Sequence, residues 1–165
     1  MEKEGLKEEK RGRFEPDGEI YEELLKYGKD IMDFPGMQKS KQFVHHGDVS
    51  VYEHSLHVAA SCLAIARKLK WKVDERALVR GALMHDYFQY DWHEPDRTHR
   101  WHGFIHARRA LRNAERDFSP NEVERNMIET HMFPLNLRLP RYRESVILTI
   151  ADKICSVQET TARRG

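Results

Sequence analysis

Histidines and aspartates occupy positions where a helical chain places its core, and no other feature narrows the possible folds so far. Val51, His54, Val58, Cys62, Ile65 and Leu69 recur at three- and four-residue steps, which predicts a helix over about 51–70 with His54 on its apolar stripe. Leu78, Ala82 and His85 align in the same way on a helix that Asp74 caps and that runs to about residue 87, with Asp86 beside the stripe. A helix over about 104–117 carries His106 next to Ala107, ahead of Leu111, Ala114 and Phe118. Ser119-Pro120-Asn121-Glu122 is a start signal, with Ser119 as cap, Pro120 at the first helical position and Glu122 closing a capping box. That helix holds Val123, Met127, Ile128 and His131 and stops before Pro134. The last helix is expected over about 142–161, with Ile147, Ile150, Ala151, Ile154 and Val157 inward and Asp152 among them.

Burying this many ionisable side chains is costly unless they pair or bind a metal. Any one of them, taken alone, is more often a hydrogen-bonded core residue than a ligand. The set carries the weight: His54, His85, Asp86, His106, His131 and Asp152 are spread over five helices that can converge at the centre of a bundle, which is how bundles build metal sites. Imidazole and carboxylate donors without cysteine suit iron, manganese, zinc or cobalt, and also magnesium. Six donors, one of them a carboxylate able to bridge, suffice for two divalent ions per chain.

The rest of the chain fits a single all-α domain. Residues 1–18 are charged and contain Gly5, Gly12, Pro16 and Gly18, the composition of a flexible tail. Ile20, Leu24, Leu25, Tyr27 and Ile31 predict a helix over about 19–32, ended by Phe34-Pro35-Gly36. Residues 36–50 are expected to be a loop carrying His45-His46-Gly47-Asp48, and 88–101 an aromatic, histidine-rich connection too long to be idle in a small domain. No segment has the alternation of a strand. The expected architecture is a helical bundle of five to seven helices over residues 19–165.

Composition excludes several function classes. The net charge of +1 argues against a nucleic-acid partner, and no apolar run approaches the roughly 18 residues of a membrane span. The charged N-terminus is unlike a secretory signal, and Cys62 and Cys155 are too few and too far apart for a disulfide framework. The expectation is a soluble cytoplasmic protein, and nothing in the sequence argues against a homo-oligomer.

Tyr52-Glu53-His54-Ser55-Leu56-His57-Val58-Ala59, Gly81-Ala82-Leu83-Met84-His85-Asp86 and Ile150-Ala151-Asp152-Lys153-Ile154 together resemble the HD-domain superfamily of metal-dependent phosphohydrolases. The order His, His-Asp, Asp over about 100 residues carries the likeness, which extends over 45–160. The resemblance implies His54, His85, Asp86 and Asp152 as core metal ligands. In members with two metals, two further histidines lie between. Here His106-Ala107-Arg108-Arg109-Ala110-Leu111 looks like the first such segment, without its usual Pro and Gly, and His131 follows 25 residues on. His102-Gly103 is a competing alignment. Glu129-Thr130-His131-Met132-Phe133-Pro134 is unlike the Gly-Tyr-Pro signature of the cyclic-di-GMP branch, which sets that substrate aside.

By the same resemblance the activity is hydrolysis of a phosphoester in a nucleotide or other small phosphorylated metabolite, with metal-activated water as the nucleophile. Asp86 would bridge the ions. Lys153 would reach a phosphate oxygen, His102 would protonate the leaving group or orient substrate, and Asp91 would be an acid/base or supporting group. His46, His93 and Arg108 are candidate substrate contacts, and Asp48 a candidate at the mouth. Against these stand ordinary readings: solvated loops, a turn at Gly47, exposed helix arginines. Tyr87, Phe88, Tyr90, Trp92 and Trp101 would stack a nucleobase or, more simply, pack the core. His45, His57 and His99 are left as structural or exposed. Two other functions share these residues. HD-fold mixed-valence di-iron oxygenases have the same six-ligand order, and a non-catalytic nucleotide- or metal-binding module would keep the site without turnover.

Overall fold

A computed structural model describes residues 16–88 and 102–162, with the backbone alone for 102–104. Among them are seven α-helices and one small hairpin: α1 (Gly18–Met32), α2 (Pro35–Lys39), β1 (Val44–His46), β2 (Val49–Ser50), α3 (Val51–Leu69), α4 (Glu75–Met84), α5 (His102–Phe118), α6 (Glu122–Thr130) and α7 (Arg143–Thr161). A single 3-10 turn, Ser40–Gln42, joins α2 to β1. The all-α bundle expected from the sequence is the observed fold. The hairpin and α2 correct the expectation of a strandless loop over 36–50.

Helix α4 is the axle. Every residue from Ala77 to Met84 is buried, because α1, α3, α6 and α7 all pack on it. A helix enclosed on all sides is expected to be apolar all round, and Arg80 is the exception. Its guanidinium is satisfied by a two-pronged contact to Asp30 (2.6 and 3.0 Å) and by the Tyr27 carbonyl (2.9 Å), which ties α4 to α1. Leu78 and Leu83 are fully buried, each worth roughly 1.5–3 kcal/mol of burial. Close approach needs small residues: a Cβ at Gly81 would sit 2.5 Å from the Met127 sulfur of α6. Gly28 of α1 is similarly filled by Leu83.

Capping fixes where the site-bearing helices begin. Ser50 and Glu53 form a reciprocal capping box at the start of α3, with Glu53 N donating to Ser50 Oγ (3.2 Å) and Ser50 N to Glu53 Oε2 (3.0 Å). At α6 the cap is Asn121, not Ser119: Glu124 N donates to Asn121 Oδ1 (2.9 Å) and Asn121 N to Glu124 Oε2 (3.0 Å). Two overlapping boxes compete in Ser119-Pro120-Asn121-Glu122-Val123-Glu124, and the second wins. Ser119 takes a left-handed φ of 48°, and Pro120 precedes the helix.

Helix α7 also departs from expectation. Ile147, Leu148, Ala151 and Cys155 are buried, whereas Ile150, Ile154 and Val157 are 42%, 45% and 62% exposed. At about 100° per residue, turning Asp152 toward the bundle axis rotates positions 150, 154 and 157 to the opposite side. The polar residues, not the apolar ones, set the orientation of this helix. Helix α4 ends at Met84, three residues before the expected boundary, so His85 and Asp86 lie in the turn that follows it.

Candidate metal centre

Five segments deliver the central side chains. His54 lies one turn into α3, His85 and Asp86 follow α4, His106 is on α5, His131 ends α6, and Asp152 is on α7. His54, His85 and His131 side chains are wholly buried, and Asp86 and His106 are 2% and 3% exposed. Asp152 keeps 15% of its side-chain surface in solvent. His54, His85, Asp86 and Asp152 form one group whose ligand atoms lie within 4.8 Å of one another, Asp86, His106 and His131 form a second, and His45, His54 and Glu159 a third.

Asp86 belongs to the first two groups and divides its oxygens between them. Oδ1 faces Nε2 of His106, in close contact, and Nε2 of His131 (3.5 Å). Oδ2 faces Nε2 of His85 (3.3 Å) and of His54 (3.5 Å). Asp152 Oδ1 closes the first group, 3.0 Å from His54 Nε2 and 3.5 Å from His85 Nε2.

The backbone fixes two of the ring tautomers. His85 Nδ1 is 2.6 Å from the Ala82 carbonyl, and His131 Nδ1 is 2.7 Å from that of Ile128. A carbonyl only accepts, so both rings carry a proton on Nδ1 and, when neutral, aim an Nε2 lone pair at Asp86. His85 Nε2, His131 Nε2 and Asp86 Oδ2 are buried and make no hydrogen bond among the described residues. His85 Nε2 lies 3.3 Å from Asp86 Oδ2 and His131 Nε2 lies 3.5 Å from Oδ1 of the same carboxylate, and buried polar atoms left unpaired around one carboxylate are costly unless a cation joins them. The donor set therefore fits divalent metal ions, with the two groups that share Asp86 able to hold one each.

Two participants escaped the sequence reading. Glu159, on α7 two turns beyond Asp152, is buried and accepts from His54 Nδ1 (2.8 Å) and His57 Nδ1 (2.9 Å). It fixes the His54 tautomer with Nε2 turned to the cluster, the usual arrangement of a carboxylate behind a metal-binding histidine. His45, expected to be structural or exposed, is buried, with Nε2 2.7 Å from Asp86 Oδ2 and its ring stacked on His54 at 3.7 Å. The signal for Glu159 was its seven-residue spacing from Asp152. His45 gave none, because it sits on a strand too short to show alternation.

Electrostatics follow from this crowding. Burial disfavours a charged His54 ring, but hydrogen bonds to Asp152 and Glu159 outweigh it and raise its pKa to about 9. Burial acts likewise on His85, and the Asp86 charge overcomes it, so that ring is held well above its ordinary value. Burial would raise Asp86 and Asp152, yet the surrounding imidazoles keep both well below the carboxylate range. His106 goes the other way, since its burial outweighs the pull of Asp86.

Other candidate residues lie further out. His46 is half-buried with its ring edge-on to His45 (4.2 Å), and burial together with that neighbour lowers its pKa to about 4. Asp48 and Arg108 are exposed. Lys153 is exposed and donates to the Phe133 carbonyl (2.7 Å), tying α7 to the connection after α6. Asp91, His93 and the side chain of His102 lie outside the described residues. Of the aromatic run, Tyr87 is buried and donates to Asp117 (2.7 Å), and Phe88 packs edge-on against His106 (4.6 Å), so these two serve packing. Tyr90, Trp92 and Trp101 also lie outside the described residues. Cys62 and Cys155 are free, buried thiols. No helix among the described residues is long and apolar enough to cross a membrane.

The family model for the HD domain matches residues 51–156, well over half of the chain. No curated protein and no solved structure matches it significantly.

Proposed function

The chain belongs to the HD-domain family, and we propose that it is a metal-dependent phosphohydrolase that cleaves a phosphoester in a nucleotide or another small phosphorylated metabolite. The observation that supports this most is the division of Asp86, with Oδ1 toward His106 and His131 and Oδ2 toward His54 and His85, as in a carboxylate that bridges two cations. His54, His85, Asp86 and Asp152 would hold one ion, and Asp86, His106 and His131 the other. Bound there, divalent ions would acidify a water and offset the charge that builds on a phosphoryl group.

The chain's own residues prepare the site for that chemistry. The Ala82 and Ile128 carbonyls and the Glu159 carboxylate hold three rings with Nε2 inward, so no reorientation is needed when a cation arrives. The partial exposure of Asp152 supports an approach of substrate from the α7 side. Lys153 follows it directly and would exchange the Phe133 carbonyl for a phosphate oxygen. We assign His102 to leaving-group protonation or substrate orientation and Asp91 to a supporting role. His46, His93 and Arg108 would contact the substrate. These assignments rest on position in the sequence.

The test is metal content followed by activity. Protein purified under nitrogen without chelator is expected to carry close to two divalent ions, and to release phosphate from members of a nucleotide and sugar-phosphate panel. Iron accompanied by oxygen consumption, with no phosphate released from any compound, would replace the hydrolase with the oxygenase that shares this ligand order.

A further inference from the structure

We propose that the outer face of α7, with the connection that precedes it, is a two-fold interface between two copies of this chain. The inference is independent of the chemistry at the centre and goes beyond the function proposed above.

Two apolar rows make up the face, and each is turned outward by polar residues. On α7, Asp152 and Glu159 claim the inward side, which leaves Ile150, Ile154 and Val157 exposed at steps of four and three on the other. In the connection, Leu135, Leu137 and Leu139 alternate with Asn136 and Arg138. Asn136 donates to the Glu129 carbonyl (2.8 Å) and Arg138 pairs with the Glu129 carboxylate, so both polar residues are drawn back onto α6. The three leucines are left 59%, 82% and 68% exposed. Lys153 Nζ donates to the Phe133 carbonyl, and the segment then leads to Tyr142 at the start of α7. It therefore returns along that helix and sets the leucine row beside the isoleucine row.

Charge and area together select the occupant. Of the chain's residues 33% are charged, yet among the exposed residues of α7 from Ile150 to Thr161 only Lys153 is, and its ammonium is held by Phe133. So little charge offers no purchase to nucleic acid or to a charged peptide, and it matches a second copy of the same face. The six apolar residues leave on the order of 600 Å² in solvent, the upper end for a lone monomer. Doubled by a two-fold axis, this is on the order of 1,200 Å², where stable interfaces begin. Antiparallel pairing of α7 about Ile154 sets Ile150 of one protomer against Val157 of the other, the reciprocal contact that a two-fold requires. Asp152 lies on the opposite side of the helix, so both centres keep their opening.

Sedimentation of the chain as purified, with its metal, measures the assembly. Wild type is expected to run as a dimer with a micromolar or lower dissociation constant. Ile154→Glu and Leu137→Glu each place an unpaired carboxylate in the interface and should weaken the dimer at least about tenfold, with helix content unchanged by circular dichroism. Tyr21→Glu, at an exposed position of α1, should match wild type. The two interface variants probe separate rows, so if one fails to fold the other decides. A wild type that stays monomeric at about 100 µM would overturn the interface, and binding of that monomer to phosphatidylcholine vesicles would give the face to a lipid surface instead. A dimer that survives both interface variants would place the contact elsewhere and overturn it equally.

Discussion

His85 and His131 end two different helices in the same way. Each is the first residue past its helix, each donates from Nδ1 to the carbonyl three residues back, at 2.6 and 2.7 Å, and their rings meet at 86° with centroids 4.9 Å apart. A carbonyl of the last turn thus serves to orient a ring, and that of Ala82 also takes the His85 backbone N–H (3.5 Å). The two helices, α4 and α6, pack directly, so their ends arrive on either side of Asp86 as a unit.

The first prediction concerns stoichiometry. His106→Ala and His131→Ala remove donors that only the Asp86 Oδ1 side uses, and each should lower the metal count from near two to near one. His85→Ala strips the group that shares Asp152 and should weaken the other ion. Plasma mass spectrometry of protein purified without chelator reads both, and unchanged counts in His106→Ala and His131→Ala would refute a dinuclear site.

Glu159→Gln tests the carboxylate behind His54. The amide keeps the volume but not the charge, and it offers a single acceptor oxygen to His54 and His57 together. Affinity for the first metal should fall about 10- to 100-fold with little change in helix content. Calorimetric titration of the metal-free chain measures it.

The pH dependence should reverse sign when metal is added. The folded pKa of His54, about 9, lies above the ordinary 6.5, so its proton stabilises the metal-free fold fully below pH 6.5, and that contribution is lost as pH rises through 9. His85 is shifted in the same direction. A cation on His54 Nε2 must displace that proton, so metal affinity should rise about tenfold per pH unit in this window from His54 alone. Urea unfolding of the metal-free chain at pH 6.5 and 9, beside metal dissociation constants at the same values, would show the opposite slopes.

Gly81→Ala should destabilise the fold by about 1–3 kcal/mol, because the new methyl meets the Met127 sulfur at 2.5 Å and the Met127 Cβ at 3.2 Å, and that buried side chain must repack. Urea denaturation of the metal-free variant isolates this packing effect from loss of ligation.

Much of this arrangement was legible in the chain because burial and chemistry coincide at the same residues. His54 stands on the apolar stripe of its helix, and the order His, His-Asp, Asp identified the family that the match over 51–156 shows. What was missed depends on pairing across distance. His45 is directed by a three-residue strand whose register comes from Gly47 and the Ser50 cap, and periodicity cannot detect so short an element. Glu159 lies on a helix whose apolar residues suggested another face. Ile150, Ile154 and Val157 look inward by hydropathy, and only the demand of Asp152 and Glu159 for the interior turns them out. At α6 two capping boxes overlap, and the use of Asn121 leaves Ser119 with a left-handed φ of 48°, which no composition rule predicts.

Because two of its histidines are helix ends, the centre is sensitive to chain length as well as to residue identity. One residue inserted between Asp74 and His85, or between Asn121 and His131, would swing the terminal ring by about 100° about its axis and shift it 1.5 Å along it. Insertions and deletions within α4 and α6 should therefore be far rarer among descendants of this sequence than substitutions at their surfaces. Length variation should collect instead in connections such as 133–141, where no ring depends on the count.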